Sequence, residues 1–175
     1  VQKEVSRYNN AVKTSGTKHA GSGIRIRRFR PGDQTAAKVL ILEGLREHWG
    51  TIDPGKNPDL DDIAAAYAGG VFRVAVAGGR IIGTGALVLH GNGEAEIRRM
   101  SVVRALRRRG VGGALLRRLI EDARSAGCRR IILETTAAWE EAAAFYLRRG
   151  FRKTHRRDGD QFFLLELNPG PASMV

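Results

Sequence analysis

The sequence predicts an α+β fold: a mixed, mostly antiparallel sheet of about seven strands, flanked by helices on both faces. Three observations carry this. Residues 71–103 read as three apolar strands joined by short turns, Gly78-Gly79 and His90-Gly91-Asn92-Gly93, and turns that short join antiparallel neighbours. An amphipathic helix follows, and then a second apolar run at 128–135. A helical crossover of that kind implies a parallel, right-handed pair. Finally, Asp158-Gly159-Asp160 separates two extended runs, which reads as a closing hairpin.

Taken in order, residues 1–23 lack periodicity, and 13–23 have the composition of a polar linker. Residues 24–30 alternate as a first strand. Pro31-Gly32 is a turn, and Asp33 is the expected N-cap of a helix running to about Glu47. Pro54-Gly55 and Asn57-Pro58 are turn signals, and Asp59 is expected to cap a short helix closed by Gly69-Gly70. Strands follow at 71–77, 80–89 and 94–103. Gly83 and Gly85 mark an irregularity or a close neighbour in the second of these. The helix from Gly110 to about Ala126 places Val111, Leu115, Leu116, Leu119, Ile120 and Ala123 on one face, and Gly127 ends it. A strand at 128–135, a helix at 138–149 and the hairpin at 151–167 complete the fold. Asn168-Pro169-Gly170-Pro171 terminates it.

The chain has 175 residues, of which 42% are hydrophobic, enough for one domain with a sizeable core. No apolar run approaches the roughly 18 residues that span a bilayer, and the first residues lack a secretory pattern. A single cysteine, Cys128, cannot form an internal disulfide, which fits a reducing compartment; the expected location is the cytoplasm. The four histidines are scattered without metal-ligand spacing, so no metal is expected. A net charge of +12 admits nucleic acid, an anionic surface or an anionic ligand. Much of it gathers at Arg98, Arg99, Arg104, Arg107, Arg108 and Arg109.

Those arginines surround the most informative stretch, residues 94–113, where a strand feeds a cationic, glycine-rich turn that opens into a helix. The first amides of a helix have no intrahelical partner and carry partial positive charge, so a phosphate fits there. A dinucleotide fingerprint fails because Leu115 stands at its third glycine, and no P-loop run exists. What remains is Arg107-x-x-Gly110-x-Gly112. It resembles the acyl-CoA pyrophosphate loop of the GCN5-related N-acetyltransferase (GNAT) superfamily. The stretch 142–151, Ala-Ala-Ala-Phe-Tyr-Leu-Arg-Arg-Gly-Phe, is similar to a second family segment at the expected distance. The resemblance covers residues 24–167. It implies a GNAT-like fold with one acyl-CoA N-acyltransferase domain at 24–168, a peripheral segment at 1–23 and a tail at 169–175.

The resemblance also implies roles. Acetyl-CoA would be the co-substrate. The amides around Arg107, Arg108, Arg109, Gly110, Val111, Gly112, Gly113 and Ala114 would hold its pyrophosphate. A bulge near Met100, Ser101 and Val102 would free backbone for the pantetheine arm, with the Val102 N–H as oxyanion donor. Glu96, at the offset of the general base in histone-acetylating relatives, would deprotonate the amine, with Glu94 as an alternative on the same strand face. Tyr146 would protonate the departing thiolate. Trp139 stands where the family often has an Asn that contacts CoA. Trp49 and the loop 51–59 fall where acceptor-binding elements lie, and Cys128 reads as a small buried hydrophobe. The expected activity is acetyl transfer to a primary amine of a small or amino-acid-like molecule. Protein N-termini or lysines, a non-catalytic CoA sensor and a basic nucleic-acid binder are alternatives. No membrane or nucleic-acid partner is expected, and a homodimer is left open.

Overall fold

In the computed structural model, which describes residues 23–167, the chain forms β1 (Arg25–Arg28), α1 (Gln34–Trp49), α2 (Ile63–Ala66), β2 (Val71–Ala77), β3 (Arg80–Gly91), β4 (Glu94–Val102), α3 (Val111–Ser125), β5 (Arg130–Thr136), α4 (Glu140–Leu147), β6 (Arg152–Arg157) and β7 (Asp160–Glu166). The strands make one seven-stranded sheet in the order β1-β2-β3-β4-β5-β7-β6. Only β4 and β5 are parallel; the other neighbours are antiparallel. The expected segment at 1–23, apart from Gly23, and the tail from 168 onward lie outside the described residues.

Strand alternation sends side chains to two cores. Phe72, Val74 and Val76 of β2 pack with Ala37, Leu40 and Ile41 of α1. Ala95 and Ile97 of β4, with Ile131 and Leu133 of β5, pack on Leu116, Leu119 and Ala123 of α3. Helices therefore cover both faces. Burying each of the Val, Leu, Ile and Phe side chains stabilises by about 1.5–3 kcal/mol. The β3 glycines serve the close approach of α3: a Cβ on Gly85 would lie 2.7 Å from Met100 Sδ and 2.9 Å from a Leu119 methyl. The second core also contains one ion pair, buried Arg73 of β2 with Asp122 of α3, through bonds of 2.8 and 2.6 Å. No described helix is long and apolar enough to cross a membrane.

Several expectations need correction. The helix at 110–126 starts one residue later, because Gly110 sits at its N-cap in the left-handed region. The helix expected at 138–149 is confined to α4, and α1 runs two residues further than expected. Asp59 caps no helix. Two 3-10 turns, Pro54–Lys56 and Pro58–Leu60, occupy that stretch, and Asp62 caps α2 by accepting from the Ala65 amide at 3.0 Å. Asp33 holds the N-cap position of α1 without bonding its amides. Its carboxylate instead takes two bonds from the Arg27 guanidinium, at 2.6 and 2.8 Å, and one from the Arg30 amide.

Asp33 yields the first prediction. The Arg27 bond outweighs burial and holds the Asp33 carboxyl below its ordinary value of 3.8. A carboxyl depressed in the folded state contributes stability above its unfolded value, and that stability is lost as pH falls through the folded value. Asp33→Asn should cost about 3 kcal/mol at pH 7, as for other broken, largely buried pairs. It should also flatten the loss of stability on acidification below pH ~4. Urea denaturation at pH 7 and pH 3 reads both.

Candidate active site

The sheet opens at its centre. β4 and β5 pair only from Glu94↔Arg130 to Glu96↔Ile132, whereas β5 continues beside β7 as far as Thr136. Beyond Glu96, the edge of β4 that faces β5 has no strand against it. On its other edge β4 carries a bulge, with Arg99 and Met100 standing opposite the single residue Gly85. The bulge lies one residue before the stretch expected from the sequence, and Arg99 takes φ +54° to form it. Val103 donates to the Ile82 carbonyl at 3.0 Å, which makes Gly83–Val102 the alternate pair of the ladder. Alternate pairs direct their backbone groups away from each other, so the Val102 amide faces the opening. The Met100 side chain packs toward α3, and Ser101 Oγ faces the Leu40 carbonyl of α1. Neither side chain is turned to the opening, and Ser101, in the neighbouring pair with Thr84, directs its backbone to β3.

At the far end of β4 the chain makes a 3-10 turn, Arg104–Leu106, and then the cationic turn. Arg108 at φ +61° and Gly110 at φ +87° reverse the backbone into α3. The first bond of the helix is Ala114 N–H to the Gly110 carbonyl at 2.9 Å, so the amides of Val111, Gly112 and Gly113 lack helical acceptors. No acid occupies the first turn of α3, and nothing lies within 4 Å of where a Gly110 Cβ would stand. These features fit a phosphate-bearing ligand such as acetyl-CoA. Arg108 and Arg109 are exposed there. Arg107 is committed within the protein: its Nε donates to the Val102 carbonyl at 3.0 Å and its guanidinium pairs with Glu47 at 2.7 Å. A Cβ on Gly112 would touch Phe145 at 3.4 Å and Val102 at 3.6 Å. The turn, the end of β4 and α4 therefore meet at one point. Arg149, which sequence reasoning passed over, lies against Gly113 with its guanidinium 3.7 Å from the centre of the Phe145 ring.

On the α1 side of the sheet, beside the end of β4–β5 pairing, lies a cleft of about 420 Å³ lined by His90, Glu94, Glu96, Arg98, Glu134 and Arg157, with Phe162 at its wall. Glu96 is largely buried there. Arg98 bonds both its oxygens, at 2.6 and 2.8 Å, and His90 Nε2 lies 2.7 Å from Oε2. Glu94 pairs with Arg130 at 2.6 Å. Glu134 differs, having no hydrogen bond or ion pair among the described residues. Its side chain is open to the cleft, yet partial burial, then Asp160 and Glu96, hold its carboxyl above the usual carboxylate range. The sequence did carry a signal for it: in β5, Ile131 and Leu133 point into the core, so Glu134 must share the opposite face with Ile132.

Tyr146 lies on the other face, 8% exposed, among Phe145, Phe151 and Phe163. Burial pushes its phenol well above the ordinary value. Glu96 and Tyr146 are thus on opposite faces of the sheet, and the opening between β4 and β5 is what lies between them. Trp139 stands at the N-cap of α4 and stacks on His48 of α1, ring centres 4.3 Å apart. Trp49 beside it is 55% exposed. Cys128 is partly buried, and that burial raises its thiol.

Comparison with known proteins places this geometry. The model of the acetyltransferase (GNAT) family matches residues 40–151. An IAA acetyltransferase of Azospirillum brasilense is 31% identical over 117 residues, 66% of this chain and 76% of that one. The uncharacterized N-acetyltransferase YjgM of Escherichia coli is 31% identical over 134 residues, 72% of this chain and 80% of its own. A crystal structure of a GNAT-family acetyltransferase from Staphylococcus aureus superposes with a TM-score of 0.78 at 25% identity, covering 83% of this chain and all of that one.

Gly112 tests the turn. A methyl there meets only ordinary contacts, so Gly112→Ala should keep stability and CoA affinity near wild type. Gly112→Asp adds bulk and a negative charge where phosphate would sit, and should weaken CoA at least tenfold with little change in Tm. Calorimetric titration with CoA measures both variants; normal CoA binding by Gly112→Asp removes the turn from the cofactor site.

Proposed function

The chain belongs to the acetyltransferase (GNAT) family and is an acetyl-CoA-dependent N-acetyltransferase, and from that premise we propose that it acetylates the primary amine of a small or amino-acid-like molecule in the Glu96–Glu134 cleft. The supporting observation is an opening through the sheet with unpartnered helix amides at one end and an unpartnered carboxylate at the other. The cleft volume lies in the range that holds small molecules rather than folded surfaces, about 300–1,000 Å³.

Acetyl-CoA, when bound, supplies the acetyl thioester. The turn amides from Arg108 to Ala114 hold its phosphates, with Arg109 at the rim. The unpaired edge of β4 at Met100, Ser101 and Val102 runs along its arm, and Trp139 packs at the mouth. Glu134 takes the proton of the amine, directly or through one water, because its oxygens are free and its raised proton affinity suits a base. Glu96, the carboxylate singled out by sequence offset, has both oxygens engaged. Its charge nevertheless raises Glu134 and favours an incoming ammonium. The nitrogen attacks the carbonyl carbon while the Val102 amide donates to the carbonyl oxygen as charge develops there. The C–S bond breaks, and Tyr146, kept protonated by burial, gives its phenolic proton to the sulfur.

A panel of amines, read by release of free thiol from acetyl-CoA, identifies the acceptor; protein and peptide amines in the same panel test the main alternative. With the acceptor in hand, Glu134→Gln should lower kcat by about 10²–10⁴-fold near neutral pH and recover in part at high pH, where free amine needs no base. Glu96→Gln should cost less and move the acidic limb of the rate profile to lower pH, because it removes a negative neighbour of Glu134. Tyr146→Phe should reduce kcat without this high-pH recovery and without loss of acetyl-CoA affinity. If Glu96→Gln shows the large, alkali-rescued loss and Glu134→Gln does not, Glu96 is the base.

A further inference from the structure

Four described non-glycine residues have left-handed backbone: Asn92, Arg99, Arg108 and Asp158. Asn92 and Asp158 turn hairpins and Arg108 lies in the turn before α3, whereas Arg99 alone sits inside a strand. A side chain at that φ costs about 1–2 kcal/mol, so something must hold it there. Three residues from two segments do so. Thr84 of β3, fully buried, donates its hydroxyl to the Arg99 carbonyl at 2.8 Å. Asp59 accepts from Arg99 Nε at 2.8 Å and Nη2 at 2.5 Å, and Asn57 Oδ1 accepts from Nη1 at 2.9 Å. Asp59 in turn accepts from the Tyr67 hydroxyl at 2.7 Å. Burial alone would raise the Asp59 carboxyl, but Arg99 and Tyr67 outweigh it and hold it below its ordinary value. Burial, with Asp59, pushes Tyr67 up to about 12. The whole cluster is therefore one fixed charge pair at neutral pH.

Its position gives it a consequence. The two residues of the bulge immediately precede Ser101 and Val102, and the bulge sets which backbone groups of β4 turn toward the opening. Asn57 and Asp59 belong to the loop after α1, whose Leu60 packs in the α1-side core, the face of the sheet on which the Glu96–Glu134 cleft also opens. One guanidinium therefore fixes both the strand that carries the Val102 amide and the loop after α1.

We propose that Arg99, clamped by Asp59 and Asn57, is a positioning residue for acetyl transfer: it holds the β4 bulge so that the Val102 amide meets the thioester carbonyl, and it ties the acceptor-side loop to that strand. It acts through the backbone and touches no reacting atom. The inference rests on the cofactor placement proposed above.

The test uses Asp59→Asn, Arg99→Ala and Arg99→Gly in the full chain, each measured well below its Tm. The decisive readout needs no acceptor: the backbone amide resonance of Val102 in nitrogen-15-labelled protein, followed during titration with acetyl-CoA. Wild type should show a large shift of Val102. Arg99→Ala and Asp59→Asn should lose most of it while retaining acetyl-CoA affinity, because the phosphates are held at the turn. With the acceptor from the amine panel, kcat should fall by about 10²-fold, the order expected for a misplaced reacting group. Arg99→Gly, which adopts the same φ without strain, should recover part of both signals. The double variant Asp59→Asn/Arg99→Gly should be no worse than Arg99→Gly, because Asp59 works through the guanidinium. A purely structural clamp would lower Tm and leave the Val102 shift and kcat of the folded protein unchanged, and that result overturns the proposal. A wild-type Val102 amide that ignores saturating acetyl-CoA overturns the cofactor placement itself, and the role of the clamp with it.

Discussion

The structure turns on three residues of pairing. β4 and β5 share hydrogen bonds only between Glu94–Glu96 and Arg130–Ile132, and then separate. A continuous parallel pair would satisfy the backbone of both strands. Here β5 keeps β7 on its outer side, and β4 keeps β3, but the two inner edges face each other across a gap. Leaving N–H groups without partners costs stability unless water or a ligand supplies them. The chain tolerates this at the middle of its sheet, and the other site features are ranged around the gap. The start of α3 lies at one end, the carboxylates at the other, Tyr146 beneath and the α1 side above.

Much of this was legible in the sequence because local chemistry dictated it. Gly78-Gly79 permits a two-residue turn, and the alternating residues beside it can bury only one way. Gly110, at φ +87°, was legible as a turn glycine at the start of a helix because other residues avoid that conformation. Three features were not legible, each for a reason of distance. Asp59 looked like a helix cap, since an Asp before an apolar run usually is one. Its true partner, Arg99, lies forty residues away. The bulge was expected at Met100–Val102, but its position depends on Gly85 across the ladder and on the clamp from the loop. Glu134 was passed over because its significance comes from the strand beside it: β5 could be predicted to lie parallel to β4, but not where their pairing would stop.

The arginines show the same limit. The charge of +12 suggested a basic rim around an anionic cofactor, yet several of the arginines nearest the turn are neutralised within the fold. Arg98 is bound to Glu96, Arg99 to Asp59 and Arg107 to Glu47. Arg104, Arg108 and Arg109 have no ion pair among the described residues and are exposed. The field at the turn thus comes from fewer cations than the sequence implied, added to the helix amides. The others bind carboxylates into fixed positions. A basic composition here serves two ends, and only the partners distinguish them.

Division of the site by the sheet has a chemical consequence. In the mechanism proposed above, a base and an acid that act in one transfer would neutralise each other if a proton could pass directly between them. Glu134 and Tyr146 lie on opposite faces, so a path between them runs through the opening, which the reactants themselves would fill. Their surroundings push both proton affinities upward, for different reasons. Partial burial and neighbouring carboxylates raise Glu134, the direction that suits its proposed role as base. An aromatic core raises Tyr146, which favours its protonated form and suits its proposed role as acid. On that proposal one group is raised to receive a proton and the other to retain one, and the unpaired strand edges keep the two apart.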